Sequence, residues 1–366
     1  MPSMNKEVHN TLIKVGVAKL KVYTLDKAEE WDQIVKSFEA YDVHYLSNYT
    51  KAFQLHGDGV PRLFYFDNQQ IRAINVVMQR DISESSHFHV LLPPRKYYDL
   101  ITPFGYGGFL IEGDVTQNNL EELDEAYTQY CLNKNIVSEF VKFHPMLKNA
   151  SAMQSLYNTT PVGSTVMMQL DSRSQIWDDL SSPRRRVIRK AIKQGVQVHW
   201  SSDVSLLETF IPLYNNTMAK DQATDYFYFD QTFYDCFLQD FKYNHLFFYT
   251  AFEGEVISMA MILFVNHQMH YFLSGSNPDF NHLSPASYVL YEAANWGMEH
   301  GYDTFHLGGG LPSLLKYKMG FNKHSNLSFE IGRKIFNQES YEYLVNIRKQ
   351  KNDFDQETTF FPAYRS

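Results

Sequence analysis

Residues 303–321 read Asp303-Thr-Phe-His-Leu-Gly-Gly-Gly-Leu-Pro-Ser-Leu-Leu-Lys-Tyr-Lys-Met-Gly-Phe321. Five residues of strand character end in Gly308, Gly309 and Gly310, and a short helical run carrying Lys316, Tyr317 and Lys318 follows. Glycines in series are entropically costly, so a triplet marks backbone that takes positive φ or approaches something closely. A strand that feeds such a turn and then a helix start leaves N–H groups unpaired, which suits an anion or a developing oxyanion. The alternative is a tight connection between strand and helix with no chemistry.

Just upstream lies the clearest helix of the chain. Ser284 is its expected cap, Pro285 takes the first position, and Ala286, Val289, Leu290, Ala293, Ala294 and Gly297 make a small-residue face before Gly301 ends it. Further upstream, helical patterns at 183–194, 206–218 and 231–241 precede a hairpin of 246–252 with 256–265 that turns at Glu253-Gly254-Glu255. The first half follows the same order. Asp26 is the expected cap of a helix with Trp31, Ile34, Val35 and Phe38 on one face. A short helix at 49–55, a hairpin of 63–66 with 71–78, a glycine-rich turn at Gly105-Tyr106-Gly107-Gly108, a helix at 120–132 and a strand at 139–143 complete it.

This order gives an α/β protein of two tandem units, each a mixed β-sheet flanked by helices. The segment 151–164, rich in Ser, Thr, Asn and Gly around Pro161, is the expected boundary or a loop within one body. Unit 1 is then 1–160 and unit 2, with the glycine triplet, is 161–335. Residues 336–366 form a C-terminal helix and tail able to pack back on unit 1.

Composition excludes several classes. A hydrophobic share of 44% over 366 residues fills two cores, and a net charge of −8 excludes a surface built wholly as a nucleic-acid footprint. One dense basic segment, 184–190 with Lys193, remains for local contact. Arg185, Arg189 and Lys193 fall four apart on one face, fit for a phosphate-bearing ligand or for plain solvation. Cys131 and Cys236 have no second cysteine or histidine at metal-ligand spacing, so a reducing compartment and no metal site are expected. Residues 1–9 lack the apolar core of a signal peptide, and the longest apolar run, 256–265, is about half a bilayer span. A cytoplasmic protein with no integral membrane segment is the expectation. His306 alternates with Phe305 and Leu307 along its strand and reads as a structurally hydrogen-bonded histidine. The run Gln54-Leu-His-Gly-Asp-Gly59 matches a coenzyme A loop in letters, but it follows a helix and enters a strand, so it reads as a turn.

Several segments, in order, resemble the FemAB-type acyltransferases, a twin-domain branch of the GNAT superfamily. They are Arg184-Arg-Arg-Val-Ile-Arg-Lys-Ala-Ile-Lys-Gln-Gly195, His144-Pro145 after a strand, Tyr271-Phe-Leu-Ser-Gly275, His306-Leu-Gly-Gly-Gly310, and Lys316-Tyr-Lys-Met-Gly-Phe321. The resemblance covers most of the chain from residue 41 onward. It implies two GNAT-like units and transfer of an activated acyl or aminoacyl group to an amine of a cell-envelope precursor or related metabolite. The implied donor is a cosubstrate, aminoacyl-tRNA or acyl-coenzyme A, with no permanently bound cofactor. It further implies catalytic roles for Lys318 and Tyr317, oxyanion or donor binding at Gly308, Gly309 and Gly310, and phosphate or substrate binding at Arg185, Arg189, Lys193, Tyr228, Ser274 and Tyr106. Two departures stand out: only Leu311 and Pro312 separate the triplet from Ser313, and 225–228 holds no arginine. An acyl-coenzyme A-dependent N-acetyltransferase and an inactive sugar- or peptide-binding protein of the same fold are the alternatives.

Overall fold

The computed structural model describes residues 19–325 and 327–366, so the 1–9 segment lies outside the described residues. Thirteen strands form one mixed sheet: β1 (Leu20–Tyr23), β2 (Val60–Asp67), β3 (Ile71–Asp81), β4 (Tyr98–Ile101), β5 (Leu110–Gly113), β6 (Ile136–Lys142), β7 (Asn158–Gln169), β8 (Gln197–Ser201), β9 (His245–Phe252), β10 (Glu255–Val265), β11 (Gln268–Ser276), β12 (Thr304–Gly308) and β13 (Leu327–Ile335). The helices are α1 (Ala28–Lys36), α2 (Ser47–His56), α3 (Gln117–Asn133), α4 (Ala150–Met153), α5 (Arg173–Asp179), α6 (Ser182–Lys193), α7 (Leu207–Lys220), α8 (Gln231–Asp240), α9 (Pro285–Glu299), α10 (Pro312–Met319) and α11 (Gln338–Lys349). Among the described residues no helix is long and apolar enough to cross a membrane.

The two halves repeat one pairing plan. In the first, β1-β2-β3-β4 run antiparallel, β4 pairs β6 in parallel, and β6 pairs β13 antiparallel. In the second, β8-β9-β10-β11 run antiparallel, β11 pairs β12 in parallel, and β12 pairs β7 antiparallel. The closing strands are exchanged: β7 follows the first half in sequence but closes the second, and β13 does the reverse. Antiparallel pairing of β13 with β7 makes the sheet continuous. The 160/161 boundary expected from sequence falls inside β7.

The loop expected at 151–164 is mostly α4 and the start of β7. Pairing with β13 overrides the turn chemistry of Pro161 and Gly163. The missing N–H of proline is absorbed by a register shift that skips Val162, between Phe329 opposite Gly163 and Glu330 opposite Pro161. One expected cap also differs. Asp26 lies inside a short turn whose cap position is Thr24. Ser284 does take the cap position of α9, with φ of 54°, but its hydroxyl makes no capping bond.

One core lies under α1, α2, α7 and α8 and draws from both halves, with Trp31, Phe53 and Ile74 packed in the same cluster as Phe210, Phe237 and Met259. Phe233, Phe237 and Phe272 stack there at 5.6 and 5.1 Å, so much of the aromatic content is core. The opposite face carries α5, α6 and α9 on the second half and α3 on the first. Leu344 of α11 packs with Ile82, Phe88 and Val137. Gly297 lets α9 approach β11, because a Cβ there would lie 2.2 Å from Met269 Sδ. The Asp230 carboxylate accepts from Phe233 N at 2.8 Å and caps α8. Asp230→Ala is expected to lower unfolding free energy by about 1 kcal/mol in a denaturant titration; an unchanged midpoint would show that the cap contributes nothing.

Candidate active site

Beyond its last parallel pair, His270 opposite His306, the second half's sheet splays. β12 runs on into the triplet, where Gly308 and Gly310 take φ of 73° and 143°. Both values lie where L side chains are strained, which is the local reason for glycine at these two positions.

Lys318, near the end of α10, is 8% exposed and reaches back into this bend. Its Nζ donates to Gly309 O at 2.6 Å and lies 5.6 Å from the Tyr271 ring centroid. Burial lowers its pKa to about 8. An ammonium has three donors, so this bond leaves two. Tyr106 enters from the first half beside the Gly309 backbone, and burial pushes its pKa up to about 12. A Cβ placed on Gly308 would lie 3.6 Å from Lys318 Nζ and 3.7 Å from Tyr106 Oη, so the three groups converge.

The other expected residues are placed less uniformly. Ser274 hydrogen-bonds the Tyr271 hydroxyl, behind the ring that Lys318 faces. Tyr317 is turned toward α9, its hydroxyl 3.4 Å from Ser287 Oγ. Arg185 donates to the Trp177 and Asp178 carbonyls at 3.4 and 3.3 Å, at the end of α5, and Arg189 lies 5.0 Å over the Trp177 ring. Lys193 is exposed. Tyr228 lies on the loop between α7 and α8, about a third exposed, and adds to the burial that raises the pKa of Tyr214. The residue of α6 that reaches the site is Arg184. Its guanidinium donates to Tyr317 O at 2.7 Å and to Ser287, and stacks 4.1 and 4.4 Å over the Tyr317 and Phe321 rings.

Behind Tyr106 lies a buried cluster that the sequence did not reveal. Asp42, His44, His144, His270 and His306 are each at most 6% exposed. His144 Nε2 stands 2.8 Å from Asp42 Oδ2, and His270 Nε2 and His44 Nδ1 stand 2.9 and 3.5 Å from Oδ1. Burial alone would raise the Asp42 carboxyl, but the adjacent His270 and His144 rings outweigh it and hold the group well below the usual carboxylate range. Burial lowers His44 to about 4, and burial with the neighbouring imidazoles holds His306 well below its ordinary value. The Tyr106 ring lies 5.3 to 5.6 Å from those of His44, His144 and His306 and joins the cluster to the triplet. His306 departs from the sequence expectation, because its buried Nε2 has no hydrogen-bond partner.

Residues 182–319, from α6 through Lys318, match the family model described as an acetyltransferase (GNAT) domain. A crystal structure of FemX superposes with a TM-score of 0.64 at 15% identity, covering 86% of this chain and 98% of that one. A conserved protein of unknown function from Bacteroides thetaiotaomicron superposes at 0.56 with 10% identity, covering 87% and 99%. At these identities the likeness is one of fold alone. No curated protein matches in sequence.

Proposed function

We propose that this protein, an acyltransferase carrying a GNAT domain, is a FemAB-like N-acyl- or aminoacyltransferase acting on an amine of a cell-envelope precursor or related metabolite. The observation that carries this reading is a buried ammonium, Lys318, held against its own glycine bend by the 2.6 Å bond to Gly309 O. An amine attacks the acyl carbonyl as its free base, a C–N bond forms, and the carbonyl oxygen gains negative charge. Lys318 and the Gly308, Gly309 and Gly310 amides are the donors proposed to meet that charge. Collapse breaks the bond to an alkoxide or thiolate, and the amine's proton passes to the leaving group or solvent.

An acyl-coenzyme A donor is the second reading, favoured by the GNAT domain match over 182–319. Single-turnover assays with matched aminoacyl-tRNA and acyl-coenzyme A donors separate the two: transfer from neither would overturn both. Salt gives an independent check. If tRNA is the donor, Arg185→Glu with Arg189→Glu weakens tRNA binding severalfold and flattens its log-affinity against log-salt slope by about one per arginine. An unchanged slope would leave these arginines with only the contacts to Trp177 and Asp178.

A further inference from the structure

The seam between the two halves holds a constellation that the acyl-transfer reading does not use. We propose that Asp42, His44 and His144 form a binding site for a divalent transition-metal cation of the zinc class, with His270 orienting the carboxylate. The proposal rests on the buried geometry alone and stands apart from the proposed reaction.

Facing polar atoms in this cluster lack partners. Asp42 Oδ2, His44 Nδ1, His144 Nε2 and His270 Nε2 are all buried without a hydrogen bond. Two of these nitrogens stand 2.8 and 2.9 Å from carboxylate oxygens, as ion-pair contacts that do not meet hydrogen-bond geometry. Buried polar atoms without partners are costly. A cation held by Asp42, His44 and His144 would satisfy three of the four, leaving His270 facing the carboxylate.

Donors on a tetrahedral ion with bonds of about 2.0–2.1 Å stand about 3.3 Å apart. The separations of His144 and His44 from the carboxylate, 2.8 and 3.5 Å, bracket that value, and the three ligand atoms all lie within 4.8 Å of one another.

Chemistry narrows the ion. Two imidazoles and a carboxylate suit zinc, iron, cobalt or nickel, whereas magnesium and calcium favour oxygen-rich shells. Three protein ligands leave a position for an exogenous group, the pattern of sites that do chemistry rather than only stabilise. Close packing also favours the arrangement of His44: a Cβ at Gly105, where φ is 96°, would lie 2.5 Å from His44 Nε2. Glycine there is what admits the ring.

One contact must change on loading. His144 Nδ1 accepts from Leu147 N at 3.3 Å, which leaves the proton on Nε2. A metal on Nε2 requires the proton on Nδ1, so this long bond is exchanged and the tautomer switches. The switch is a readout that no adventitious surface site would produce.

The full chain, stripped with chelator and dialysed, is titrated with Zn²⁺ by calorimetry and with Co²⁺ by visible absorption. One ion per chain is expected, with tetrahedral Co²⁺ bands and the His144 tautomer switch in imidazole ¹⁵N spectra. Asp42→Asn and His144→Gln should each weaken uptake at least tenfold. If either fails to fold by circular dichroism, His44→Gln supplies the comparison. Substoichiometric uptake by the parent, or equal uptake by parent and folded variants, would overturn the site.

Discussion

Lys318→Ala slows single-turnover acyl transfer by about a hundred- to a thousandfold, the scale of losing one well-placed oxyanion donor. The lysine is 8% exposed and bonded to Gly309 O, so its ammonium is already aimed and needs little reorganisation when charge appears. Burial that lowers its pKa to about 8 also sets the pH dependence. Below that value Lys318 is charged, and above it the charge is lost, so the parent's rate falls as pH rises through about 8 once the acceptor amine is deprotonated. The alanine variant should lack this descending limb. Equal rates in parent and variant would remove Lys318 from the mechanism.

The same burial makes the residue a burden on the fold. Its pKa falls from 10.5 to about 8 on folding, so the unfolded chain keeps a proton that the native state releases between those values. Native stability therefore rises with pH across that window, and below about 8 the full cost is present. Lys318→Met is expected to raise unfolding free energy at pH 7 by up to roughly 3 kcal/mol, with the gain fading toward pH 10.5. A residue whose removal stabilises the protein and slows its chemistry is kept for the chemistry.

Arg184→Ala is expected to lower unfolding free energy by about 2–3 kcal/mol, through lost charge-assisted bonds to Tyr317 O and Ser287 and lost stacking on two rings. Transfer should also slow severalfold, because Tyr317 O is one peptide from Lys318. Arg184→Lys should not restore stability, since a single ammonium cannot bond both groups and cover both rings. Urea titration decides it: a lysine variant as stable as the parent would show that charge alone matters.

What the sequence made legible was local. α9 announced itself through Pro285 and a small-residue face, β9 and β10 through their hairpin turn, and the glycine triplet through its backbone requirements. The pairing of β7 with β13 was hidden, because Pro161 and Gly163 read as loop chemistry and partner strands lay far away in sequence. On α6 the spacing that aligned Arg185, Arg189 and Lys193 said nothing of which arginine met another element, and Arg184 is the one that does. Asp42, His44, His144 and His270 carry no shared spacing at all. Folding alone brings them together.

The exchanged closing strands bear on biosynthesis. A nascent chain that ends before residue 327 has every strand of both halves except the one that bridges β6 to β7. It would emerge from the ribosome with two naked hydrogen-bonding edges side by side, each a template for another molecule. Pairing of β13 with β6 on one side and β7 on the other thus covers both edges in a single event.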